Sequence, residues 1–248
     1  ITPVSTLLKW FPDRRGLATG MAIMGFGGGA MVGSPAADAL MAATGSPAQT
    51  MLIMAGTYAL AMTAGALAFR LPAAGWHPPG RPESIAGGRF VPLAVAVRTP
   101  QFWLVWCVLL MNVSASIGII GLASPMVQEL FAGRLIGQPA LPFEALDDGQ
   151  KTAIATIGAA FVGLISLFNI AGRFVWSSLS DRIGRRPLYL VMLGLAGLLY
   201  GLLLPTGPAL PLFLAAFALI ASMYGGCFAA VPAWLADLFG TRQVGAIH

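Results

Sequence analysis

Six long apolar stretches, at about 17–43, 50–71, 101–127, 152–178, 187–205 and 209–233, alternate with polar connections along this chain. A hydrocarbon layer ~30 Å thick is crossed by roughly 20 helical residues, so each stretch is predicted to be a membrane-spanning α-helix. Residues 1–8 share this character and are expected to close an earlier span. Pro35, Pro125 and Pro232 lie inside stretches, where membrane helices bend at proline without ending. The predicted fold is therefore an all-α, polytopic membrane bundle. The long interruption at 72–99 holds Trp76, His77, Pro78, Pro79 and many further glycines and prolines, the composition of a linker. We expect 1–71 to end one helical part with two full spans, 72–99 to connect, and 100–248 to begin a second part with four. Phe11 and Arg14 recur as Phe239 and Arg242, both at an offset of 228 residues, which agrees with parallel repeated halves.

Composition sharpens this. Only 9% of the residues are charged, against roughly 25% in a soluble domain, and the mean hydropathy is +0.81. The formal charge of +5 does not indicate a nucleic-acid partner, because the basic residues are scattered between apolar segments. They read as orientation signals instead. Lys9, Arg14, Arg15, Arg70, Arg81, Arg89, Arg98, Arg182, Arg185, Arg186 and Arg242 fall on one side, and only Arg134 and Lys151 on the other. Both chain ends, the linker 72–99 and the turn 179–187 are thus expected in the cytoplasm. Cys107 and Cys227 lie in apolar runs, where a thiol behaves as a small hydrophobe, and no metal or cofactor spacing is present. The chain starts at Ile1 and stops at His248 just after a basic turn, and we expect it to be an internal segment of a longer protein.

The fourteenth basic residue, Arg173, belongs to neither side. Eight residues separate it from Asp181 at the helix end, which places it about 12 Å deeper. Even lenient insertion scales charge roughly 2.5–3.5 kcal/mol for a central arginine, so water, an anion or a carboxylate must compensate it. Ser166, Asn169, Arg173, Ser177 and Ser180 repeat at three- and four-residue spacing, a polar stripe expected to line a cavity. A guanidinium is a planar fork of donors suited to bidentate capture of a carboxylate, which makes Arg173 the candidate anchor and Asn169 its neighbour. Against this stands snorkelling toward the cytoplasm, or pairing with Asp237 or another structural acid. Tyr224 and Phe228, four apart, share a face and either close over a small anion or simply pack. Phe26 is a weaker candidate of that kind. Gly20, Gly25, Gly29 and Gly33 are expected to let a neighbouring helix approach closely.

The segment LSDRIGRRP, Leu179 to Pro187, is a charged turn between two spans. Asp181 is placed to accept from a helix N-terminus, while Arg182, Arg185 and Arg186, around Gly184, meet acids or helix C-termini of the other part. Such contacts would close one conformation, or the charges would serve topology alone.

LSDRIGRRP resembles the cytoplasmic signature of the major facilitator superfamily, with Ser177 in place of its leading glycine. WFPDRRGLATGMAIMGFGGGA, NVSASIGIIGLASP, FVGLISLFNIAGR and SMYGGCFAAVPAWLADLFGTRQVGAIH are similar to its oxalate/formate antiporter branch. That resemblance implies the fifth to tenth helices of a twelve-helix bacterial inner-membrane carrier, a monomer when complete. It implies that Arg173, in the eighth helix, binds a substrate carboxylate, and that Tyr224 and Phe228 belong to the helix whose aromatic residues wall the site. Gly20, Gly29, Gly33 and Pro35 partly match the glycine-proline motif of many antiporters, with Ser34 intruding. The expected function is alternating-access exchange of small carboxylates such as oxalate and formate, without a cofactor. Proton-coupled monocarboxylate symport is the nearest alternative. An integral-membrane enzyme is the alternative from another class, and it would need a metal cluster or an activated nucleophile that these residues do not supply.

Overall fold

Proline, glycine and short polar caps punctuate the helices. In the computed structural model, residues 2–73, 76, 78, 90–139, 141–207 and 209–248 are described, and within helices the side chains of 26, 27, 30 and 34 are not. Helix α1 covers Thr2–Trp10 and α2 covers Arg15–Thr44, which ends on left-handed Gly45. Pro47, at a position where its missing N–H costs nothing, opens α3, Pro47–Ala68. Much of the predicted linker, 74, 75, 77 and 79–89, lies outside the described residues. Its last part holds the one-turn helix α4, Leu93–Ala96, tied back by Val91 N–H to the Phe239 carbonyl at 3.0 Å and Leu93 N–H to Gln243 Oε1 at 2.7 Å.

Helix α5, Pro100–Leu135, is capped by the Thr99 hydroxyl. A capping box of Asp147 and Gln150 starts α6, Asp148–Ile183, satisfying two amides that would otherwise lack partners. Gly184, at φ 89°, breaks the chain into α7, Arg185–Leu198, which runs on through a π turn at Leu199–Leu203 and a 3-10 turn at Leu204–Thr206. Helix α8 is Leu210–Phe239 and α9 is Val244–Ile247.

Among the described residues, five helical runs are long and apolar enough to cross a membrane: Pro47–Ala68, Pro100–Leu135, Asp148–Ile183, Arg185–Thr206 and Leu210–Phe239. The stretch predicted at 17–43 is α2, 30 residues long. The predicted limits 101–127 and 152–178 are too short, since α5 and α6 have 36 residues each. Hydropathy marks only the part in hydrocarbon, whereas caps in the polar layer decide where a helix stops.

Helix α6 lies between α2 and α8, and α8 supplies the core. Ile220, Met223, Cys227 and Val231 of α8 pack with Leu188, Tyr189 and Met192 of α7. Phe213 and Phe217 stack with Phe131 of α5 and Phe161 of α6. Leu52, Leu60, Met62 and Leu67 leave α3 with an exposed apolar surface suited to hydrocarbon rather than water.

Candidate functional site

Helix α6 comes close enough to its neighbours to hide a charge because glycines line both contacts. A Cβ at Gly172 would collide with the Ser222 carbonyl, and one at Gly225 with the Asn169 carbonyl. On the other side a Cβ at Gly20 would sit 2.6 Å from the Arg173 carbonyl, and one at Gly16 would strike that of Ser177. These approaches bury Arg173 to 4% exposure.

Its guanidinium bridges three helices. Arg173 Nε donates to Asn169 Oδ1 at 3.1 Å, and Nη1 donates to the Ile23 carbonyl of α2 at 2.9 Å. Phe228 of α8 presents its ring 5.7 Å from the guanidinium carbon, within the range of a cation–π contact. Asn169 in turn donates through Nδ2 to the Ala221 carbonyl at 3.1 Å, so both ends of its amide are engaged and it orients Arg173. Tyr224, one turn before Phe228 and half-buried, lines an adjoining pocket. Asn169 and Phe228 are thus both in reach of Arg173, with Tyr224 one turn away. The side chain of Phe26 lies outside the described residues. Asp237, the acid offered to Arg173 in the sequence reading, is engaged by Arg15 and Arg185 at 2.8 Å each.

The polar stripe does not line one cavity along its length. Ser177 and Ser180 are buried at the contact with Gly16 and Gly20, because small side chains also permit close helix approach. Ser166 hydrogen-bonds within its own helix, to the Val162 carbonyl at 2.9 Å. Nor do the four glycines of α2 form one interface. Gly20 meets α6, Gly33 faces the Tyr58 hydroxyl of α3, and Gly25 and Gly29 meet no described atom within 4 Å. A five-residue step from Gly20 to Gly25 turns about 140° around a helix, which moves the two onto different faces.

At the α6–α7 turn, Asp181 accepts from the Gly16 and Leu17 amides at 2.8 Å each, occupying the N-terminus of α2. Arg185 reaches Asp181 and Asp237 at 2.8 Å each and also the Ser180 hydroxyl. Arg15 completes the cluster on Asp237 at 2.8 Å. Gly184 supplies the left-handed turn that aims Arg185 inward. Arg182 and Arg186 depart from expectation: both are exposed and form no ion pair among the described residues; Arg186 follows Arg185 directly and so points off its face, and Arg182 lies on α6, before the Gly184 break.

Sequence reasoning missed the Ile23 carbonyl and the paired approach of Gly172 and Gly225. Backbone acceptors carry no residue signature, but small residues on α6 and α8 at facing positions were a readable signal of contact.

A family model described as the Major Facilitator Superfamily matches residues 2–247. The chain is 29% identical over 243 residues to a protein of Oxalobacter formigenes named an oxalate:formate antiporter, covering 96% of this chain and 51% of that protein. It is 26% identical over 249 residues to an uncharacterized MFS-type transporter, YhjX, of Escherichia coli strain K12, covering 97% and 54% respectively. The chain spans about half the length of the curated relatives it matches.

Proposed function

Because the chain belongs to the Major Facilitator Superfamily, we propose that it is part of a secondary carrier exchanging small carboxylates across a membrane by alternating access. The observation that carries this reading is Arg173, buried to 4% exposure within a membrane helix and positioned by Asn169, Ile23 and Phe228. A fixed guanidinium in a low-dielectric wall favours an anion, and its planar fork suits a carboxylate. The relative named an oxalate:formate antiporter supports oxalate and formate as the first substrates to test. Exchange rather than net flow follows if the anchor charge, without its anion, opposes reorientation.

In this reading the chain divides at the linker 72–99, with 1–71 and 100–248 contributing to two halves that rock about the anion. The linker and the 179–187 turn face the cytoplasm of a bacterial inner membrane, and the complete carrier works as a monomer. The Asp181, Arg185, Asp237 and Arg15 cluster ties α2 to α6 and α8, so it holds one conformation and must part in the other. The protein moves its substrate without chemically altering it.

Counterflow of labelled oxalate and formate into liposomes holding the intact parent protein tests this reading. Accelerated entry against internal formate, lost in folded Arg173→Ala, is the expected result. Unchanged exchange in that variant removes Arg173 as anchor, and exchange of lactate alone, driven by a proton gradient, replaces antiport by monocarboxylate symport.

A further inference from the structure

We infer that Cys227, Met192 and Met223 form a binding site for a soft monovalent metal ion, Cu⁺, in the cavity among α5, α7 and α8.

That cavity is about 200 Å³ in volume, and sulfur-bearing side chains reach it from all three helices: Met111 from α5, Met192 from α7, and Met223 and Cys227 from α8. Met223 and Cys227 stand four positions apart and so share a helix face. Met192, Met223 and Cys227 are buried, whereas Met111 is exposed and lies where the cavity opens. The Cys227 thiol donates to the Met192 thioether, with Sγ 3.9 Å from Sδ. Two sulfurs bound to one metal at about 2.3 Å each, with a trigonal angle of about 120°, stand about 4.0 Å apart, which is the separation this pair already has. Close packing usually leaves little space beside such a contact, but here the sulfurs border open volume.

The thiol is held in place from behind. The buried Tyr189 hydroxyl donates to the Cys227 carbonyl at 2.6 Å, and Gly226 lies so close to Trp176 that a Cβ there would collide with its side chain. This turn of α8 is therefore fixed against both α7 and α6. Arg173 belongs to a different face of α8, the one bearing Gly225 and Phe228, so the sulfur site is independent of the carboxylate anchor.

Donor chemistry selects the ion. Thiolate and thioether ligands are soft and suit Cu⁺, while Mg²⁺ and Ca²⁺ require carboxylates, which are absent from the described lining. Binding is an exchange without redox change: the Cys227 thiol releases its proton, and the sulfur–copper bond forms on the electron pair left behind. Cu⁺ and thiolate together carry no net charge, which an apolar wall tolerates far better than a bare ion. Met192 and Cys227 lie 35 positions apart, so no local spacing announces the site.

The test titrates the intact parent protein in detergent with Cu⁺ under oxygen-free, reducing conditions, against the chelator bicinchoninate. We expect the parent to retain one Cu⁺ and Cys227→Ala to lose it. Met192→Leu and Met223→Leu, which nearly conserve volume, should weaken retention at least about tenfold, because loss of even an outer-shell contact to a metal site costs that much. Cys107→Ala, at an exposed thiol outside the cavity, should leave it unchanged. X-ray absorption by the loaded parent should place sulfur neighbours at about 2.3 Å from copper. Cu⁺ should also raise the thermal unfolding temperature of the parent and of Cys107→Ala but not of Cys227→Ala. Failure of the folded parent to retain Cu⁺, retention undiminished in Cys227→Ala or in both methionine variants, or nitrogen and oxygen neighbours at the metal would each overturn the site.

Discussion

Arg173 and Gly172 are adjacent in sequence and have opposite requirements. Arg173 needs partners for a charge taken out of water, and finds Asn169 Oδ1 and the Ile23 carbonyl. Gly172 needs nothing but the absence of a side chain, because the Ser222 backbone occupies that space. Gly172→Ala is therefore expected to cost about 1–3 kcal/mol, as overpacking of a tight contact does. Gly194, which meets no atom within 4 Å, is the control, and Gly194→Ala should leave thermal unfolding in detergent unchanged or slightly raised. Equal melting of the two variants would show that α6 and α8 can separate without loss. That Arg173 is buried was legible from its depth alone, since a charge about 12 Å from a helix end demands an explanation. Its carbonyl partner on α2 was not, because main-chain oxygens are the same at every residue.

At the scale of elements, the N-terminus of α2 is held by a carboxylate from another helix rather than by its own cap. Arg14, the preceding residue, provides no side-chain hydrogen bond, and Asp181 fills that place with two short contacts. Removing it leaves two helix amides and Arg185 short of an acceptor. Asp181→Ala is expected to cost about 2 kcal/mol, somewhat less than the loss of a fully buried charged partner. Arg182→Ala, a change at an exposed neighbour, should cost nothing measurable in the same unfolding assay. No loss at Asp181→Ala would assign the turn to topology alone. The LSDRIGRRP spacing pointed to this cluster, yet it credited three arginines where Arg185 alone turns inward to the acids. The Gly184 turn decides that, and rotation about a glycine is invisible in a one-dimensional pattern.

Across the whole molecule, antiparallel α6 and α7 return the chain to the end from which it came, so the 179–187 turn and the turn near Gly207 belong to opposite faces of the bundle. Single cysteines at Arg182 and Thr206, in a parent lacking Cys107 and Cys227, should react with an impermeant maleimide from opposite sides of sealed vesicles. Labelling of both from one side would overturn the bundle's orientation as well as the proposed cytoplasmic turn. The sequence by itself determined that the chain is a set of membrane helices, roughly where each lies, and that one arginine stands inside, because hydrocarbon excludes charge over a fixed thickness. Only the tertiary structure decided which faces meet: that α6 is enclosed by α2 and α8, and that Asp237 serves Arg15 and Arg185 rather than Arg173. Helix formation answers to local periodicity and solvent, whereas these pairings join residues up to 222 positions apart and depend on how closely glycines let the backbones approach.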